Sequence, residues 1–116
     1  MFTLVTEASH PLSLRGFVQI APYDLVRRFG LPGRGSADRK VTGTYHFQDQ
    51  RKQSLRIYDW KATTLYDART EAGTLTLEDF WSSSIPQEFS VAATAAVDLA
   101  SFARWLGAVG FRSTWA

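Results

Sequence analysis

VTGTYHFQDQRKQSLRIYDW, residues 41–60, reads as two alternating strands joined by a polar turn. Val41, Gly43, Tyr45 and Phe47 fall on one side of the first strand, and Leu55 and Ile57 continue that apolar surface in the second, as a period of two requires. The opposite side carries Thr42, Thr44 and His46 together with Arg56, Tyr58 and Trp60. A plainly solvated sheet face shows Thr, Lys and Glu, whereas here two large aromatics, a guanidinium and an imidazole share one surface. The stretch therefore predicts a hairpin at the centre of the fold, with one buried face and one candidate site. Its turn, Asp49-Gln50-Arg51-Lys52, is longer than a two-residue connection.

Upstream of the hairpin, LPGRGSADRK (31–40) is a loop by its Pro32, Gly33, Gly35, Ser36 and Asp38. It carries Arg34, Arg39 and Lys40, so it reads either as a solvated connector or as a basic loop that offers backbone N–H groups to an anion. The spacing matches neither a P-loop nor a dinucleotide fingerprint. Before it, Ala21 to Phe29 predicts a short helix with Pro22 in the first turn, Asp24 near the positive end, Leu25, Val26 and Phe29 inward, and Gly30 as a left-handed stop. Gly16 to Ile20 reads as a strand, and Phe2, Leu4 and Val5 as a short apolar start.

Downstream, Lys61 to Gly73 is read as a long loop, followed by a helical turn TLEDFW (76–81), in which Thr76 and Asp79 approximate a capping box and Phe80 and Trp81 supply bulk. Gln87 to Val91 alternates as a strand. Leu99, Phe102, Ala103, Leu106 and Val109 recur at three and four, which predicts a helix from Thr94, as N-cap, to Val109, ended by Gly110. Phe111 and Trp115 are left in an apolar tail that folds back or meets a second subunit. The expected fold is α+β: a small antiparallel or mixed sheet with helices packed on one face, a two-layer sandwich in a single domain, 1–116.

Composition narrows function mainly by exclusion. The chain has no Cys, which rules out a disulfide framework and thiolate metal ligands and fits a reducing compartment, so a cytoplasmic location is expected. No apolar run approaches the ~20 residues of a membrane span, so no membrane partner is expected. A net charge of +2 is too small for a concentrated nucleic-acid stripe. Ten of the thirteen basic residues are Arg, which suits bidentate contact to carboxylate or phosphate, although GC-rich coding produces the same bias. The two histidines, His10 and His46, have no metal-ligand spacing, and Asp59 belongs to the face opposite Tyr58 and Trp60, away from His46. Neither a catalytic residue, a metal site nor a cofactor is expected. The constellation that remains is ligand-binding: Arg56, Tyr58, Trp60, Lys61, His46 and Tyr66, with Arg34 and Arg39 as a clamp. The competing reading buries the same aromatics beneath the 65–81 segment as a second small core.

Phe29-Gly30-Leu31-Pro32, Lys40-Val41-Thr42-Gly43-Thr44-Tyr45-His46-Phe47 and Ile57-Tyr58-Asp59-Trp60-Lys61, followed by a last strand and helix, resemble a pattern in small uncharacterised bacteriophage proteins. The likeness spans about residues 23–106. The chain departs from it at Phe89-Ser90-Val91-Ala92-Ala93, where that pattern has paired glycines, and at Tyr45, where Trp is frequent. The resemblance implies an accessory or counter-defence protein in the cytoplasm of a host cell, with a host protein or a small nucleotide signal as partner. It brings no catalytic residues. The expectation is a non-enzymatic protein that sequesters an anionic nucleotide-type signal; the alternatives are an inhibitor of a host defence or nuclease complex and a weak single-stranded nucleic-acid binder. A homodimer through the C-terminal helix and tail is a further expectation.

Overall fold

The computed structural model describes residues 1–7, 11–34, 40–60 and 75–114. In chain order its elements are β1 (Thr3–Val5), β2 (Ser13–Ile20), α1 (Pro22–Phe29), β3 (Gly33–Arg34), β4 (Gly43–Gln48), β5 (Ser54–Tyr58), α2 (Leu77–Trp81), β6 (Gln87–Ala93), α3 (Leu99–Leu106) and β7 (Gly110–Ser113). The strands form one antiparallel sheet in the order β1-β4-β5-β6-β2-β7. β3 also pairs with β4, so two short strands divide that strand's outer edge: Gly33 and Arg34 lie opposite Thr44 and Gly43, and Thr3 to Val5 opposite Gln48 to His46.

The central hairpin forms as its alternation requires. Gly43, Tyr45, Phe47, Leu55 and Ile57 are buried, and Thr44, His46, Arg56 and Tyr58 lie on the other side. The turn closes with the Asp49 N–H donating to Gln53 O and the Lys52 N–H to Asp49 O, both at 3.0 Å. Asp49 Oδ1 also accepts from the Arg51 and Gln53 N–H groups. Lys52 takes a φ of 61°, the left-handed position of a three-residue hairpin loop.

All three helices cover the buried face. Leu25 of α1, Phe80 of α2, and Phe102 and Leu106 of α3 pack with Val18, Ile20, Tyr45, Phe47, Leu55, Ile57, Phe89 and Val91 of the sheet in one core. Aromatic rings make up much of it. Phe2, Phe29, Phe47, Phe102 and Trp105 form one cluster, with Phe29 to Phe47 centroids 5.2 Å apart and Phe47 to Phe102 5.3 Å. Tyr45, Phe80, Trp81 and Phe89 form a second. Edge-to-face and tilted pairs at these distances add to the burial of their area.

Two arginines brace this layer. Arg15 donates to the carbonyls of Thr94 and Val97 at 2.8 and 2.7 Å, from a bulge where β2 shifts register against β6. Arg28 lies over the rings of Phe29 and Trp105 and donates to the carbonyl of Leu106, so it tethers α1 to the negative end of α3.

The C-terminal reading needs correction. The helix runs from Leu99 to Leu106 and is capped by Asp98, whose carboxylate accepts from the Ser101 N–H and hydroxyl. Thr94 is drawn away from the cap position. Its N–H donates to Ser54 O and its hydroxyl to Gln53 Oε1, which pins residues 94–97 to the hairpin. Gly107 (φ 80°) stops the helix, and Gly110 begins β7 on the free edge of β2. Phe111 thus belongs to a strand; Trp115 lies outside the described residues. Gly30 does end α1 with a positive φ of 83°, but its ψ of −170° is extended, not helical.

Candidate functional site

The side of the sheet turned away from the helices carries the candidate site. The strand registers place five residues in one row across it: Thr44 of β4, Tyr58 of β5, Ser90 of β6, Phe17 of β2 and Arg112 of β7. A second row, two residues along on β4, β5 and β6 and three on the bulged β2, holds His46, Arg56, Ala92 and Leu14. Tyr58 and Phe17 flank Ser90, and Arg56 and Leu14 flank Ala92, on β6, where Ser90 is 8% and Ala92 1% exposed. The small residues form a floor shaded by Phe17 and Tyr58 on either side.

Two cations lie against these rings. The Arg112 guanidinium is 4.0 Å from the centroid of Phe17, and that of Arg56 is 5.1 Å from Tyr58. Trp60, 51% exposed, meets Tyr58 edge-on at 6.5 Å and has the Lys40 ammonium 5.8 Å from its ring. Arg112 also reaches Glu88 at 3.4 Å, an exposed pair of little energetic weight. A stacked guanidinium keeps donors available while its apolar plane is covered, which suits contact to an anion.

His46 faces Arg56 across the strand pair. Burial first, and the Arg56 charge second, hold its pKa below the ordinary 6.5, against an opposing pull from Glu7. Its Nδ1 atom is buried and has no hydrogen-bond partner among the described residues. The ring is therefore a neutral imidazole at pH 7. It also lines a cleft of about 210 Å³ with Leu4, Val5, Phe29, Leu31 and Tyr45, at the gap between β1 and β3.

Of the residues expected from sequence, Arg56, Tyr58, Trp60 and His46 come together on this surface. Arg34 lies opposite Gly43 in the short β3 strand, outside the loop assigned to it. Arg39, Lys61 and Tyr66 lie outside the described residues. One placement is corrected. Thr42 leaves the open face because its hydroxyl donates to the buried Asp59 carboxylate at 2.6 Å. Trp81 packs on the helical side against Tyr45, Phe80 and Phe89, where its indole N–H donates to Thr42 Oγ1.

Sequence reasoning missed Phe17, Ser90 and Arg112. Phe17 was detectable: with Val18 and Ile20 inward, the period of two turns Phe17 and Gln19 outward. Ser90 is turned outward by the same alternation, with Phe89 and Val91 inward, but its place between Phe17 and Tyr58, and that of Arg112 beside Phe17, comes from a cross-sheet register that local sequence does not encode. Comparison of the chain with protein-family models and with curated proteins finds no match.

Proposed function

We propose that this chain is a non-enzymatic binding protein whose open sheet face takes an anionic ligand with a planar ring, a nucleotide-type signal, and acts by sequestering it. The observation that carries this reading is the row Tyr58, Ser90, Phe17, Arg112 with Arg56 beside it: aromatic faces and guanidinium groups at one surface, opposite a core that is complete without them. Stacking on aromatic side chains supplies affinity for any base, and Arg neutralises phosphate. The resemblance to phage accessory proteins favours a signal of the host cell as the target and the host cytoplasm as the place of action.

Native mass spectrometry after incubation with a nucleotide extract tests the reading. A retained small-molecule mass, lost in a Tyr58→Ala variant, is expected; an apo mass across the full nucleotide panel overturns it. A single-stranded nucleic-acid ligand would give binding that weakens steeply with salt and strengthens with oligonucleotide length.

A second reading draws on the β7 edge. Val109, just before this terminal strand, and Phe111, within it, are exposed, and its outer side has no pairing strand among the described residues. Strand addition there would serve a host protein or a second copy of the chain, as an inhibitor of a complex or as a homodimer. Light scattering distinguishes a dimer from a monomer.

A further inference from the structure

The register of β7 against β2 decides which of its backbone groups face outward. One residue past the Gly16 and Ser113 pair, the Thr114 N–H donates to Arg15 O at 3.0 Å. Hydrogen-bonded pairs alternate along an antiparallel ladder, so Phe17 with Arg112 and Gln19 with Gly110 are also bonded pairs. The N–H and C=O of Phe111, between them, therefore point away from β2, at an edge with no pairing strand among the described residues. Phe111 lies opposite the buried Val18, which puts its ring on the helical side of the sheet, 41% exposed. Gly110 and Arg112 belong to the open side, where the absent side chain of Gly110 leaves a recess of about 190 Å³ bounded by Phe17, Gln19 and Glu88.

Resting on the second reading above, we infer that the partner at this edge is a second copy of the chain, its β7 antiparallel to the first about a two-fold axis at Phe111. An outward-facing residue hydrogen-bonds only to another outward-facing one, which restricts the pairing to alternate registers. Phe111 opposite Phe111 exchanges both bonds and sets the two exposed rings directly across from each other, with Cβ atoms about 5 Å apart. Each Arg112 then faces the neighbour's Gly110, where no side chain obstructs it. It keeps its own Phe17 ring at 4.0 Å and its own Glu88 at 3.4 Å. The next allowed register sets Arg112 against Arg112, which like charge disfavours. The one before it sets Gly110 against Gly110, which separates the rings. The other edge of the sheet is divided between β1 and β3, three and two residues long, so β7 finds its match in another β7, and the pairing closes as a dimer. Four-residue strands bury little area, so association is weak and depends on concentration.

Sedimentation velocity of the full chain from about 10 μM to about 1 mM tests this pairing. The mass is expected to rise from that of one chain toward that of two. Phe111→Pro removes an N–H that β2 does not use, so it should leave the fold intact by circular dichroism and weaken the dimer about tenfold or more. If that variant fails to fold, Phe111→Lys, which sets two ammonium groups at the axis, replaces it with the same expected loss. Arg112→Gln reads the register: dimer affinity should stay within about twofold of the parent, whereas the Arg112-against-Arg112 register would strengthen about tenfold on loss of the like charges. That strengthening overturns the register and leaves the edge reading standing. A parent that remains one chain across the whole range overturns the inference and leaves the edge to a protein of different sequence. A dimer that survives Phe111→Pro, or Phe111→Lys in its place, overturns the inference and the edge reading together.

Discussion

Asp59 accepts both the backbone N–H and the hydroxyl of Thr42, at 2.8 and 2.6 Å, from a position with 0% exposure. It accepts the Gly43 N–H as well, at 2.9 Å, and Thr42 in turn receives the Trp81 indole. One carboxylate thereby joins the end of β5, the start of β4 and helix α2. Gly43 has to be glycine for this packing, because a Cβ there would come within 2.6 Å of the Trp81 ring. Asp59→Ala leaves three donors without their acceptor inside the protein. A loss of about 3 kcal/mol or more is expected in urea denaturation. Asp59→Asn, which keeps one acceptor oxygen, should lose less.

Trp60 should behave in the opposite way. Its ring is half exposed at the rim of the open face, so Trp60→Ala is expected to change stability by no more than about 0.5 kcal/mol. Ligand binding should weaken several-fold. A large drop in the thermal midpoint would mean that the aromatic face belongs to the core.

The His46 imidazole makes stability depend on pH. Its pKa in the fold lies below 6.5, so between those two values the unfolded chain binds a proton that the folded chain does not. The stabilisation is complete above about pH 6.5 and is lost as pH falls from there toward the folded pKa. His46→Gln should flatten the pH dependence of thermal melting in that window. Arg56→Gln removes one of the two causes of the shift, and an NMR titration should find the His46 pKa raised toward its ordinary value.

Lys52 occupies the left-handed position of the hairpin loop, where a side chain is sterically disfavoured and glycine is not. Lys52→Gly is expected to stabilise the chain by up to about 1 kcal/mol, measured by chemical denaturation. The gain should appear without any effect on ligand binding, because the turn lies at the far end of β5 from Tyr58 and Trp60.

The hairpin was legible because its apolar residues alternate cleanly from Tyr45 to Ile57 and only one pairing register buries them all. Helix α1 was equally plain, with Pro22 near its start and Gly30 at its end. What stayed hidden depended on distance in sequence. Thr94 has the chemistry of a cap, yet Gln53 and Ser54 compete for it and Asp98 takes the role. β7 is four residues long and follows a helix directly, so its apolar content reads as a tail until β2 offers it an edge. At the site, Tyr58 and Arg56 could be counted onto one face, but Phe17 and Arg112 joined them only once the strand order was known.

Phe2, Phe29, Phe47, Phe102 and Trp105 interlock on one side of the sheet, and on the reverse side the large residues Phe17, Arg56, Tyr58 and Arg112 are half-buried or exposed. Substitutions at positions 17, 56, 58 and 112 can accumulate while the scaffold persists. A lineage built this way can exchange one molecular target for another without first having to reinvent its architecture.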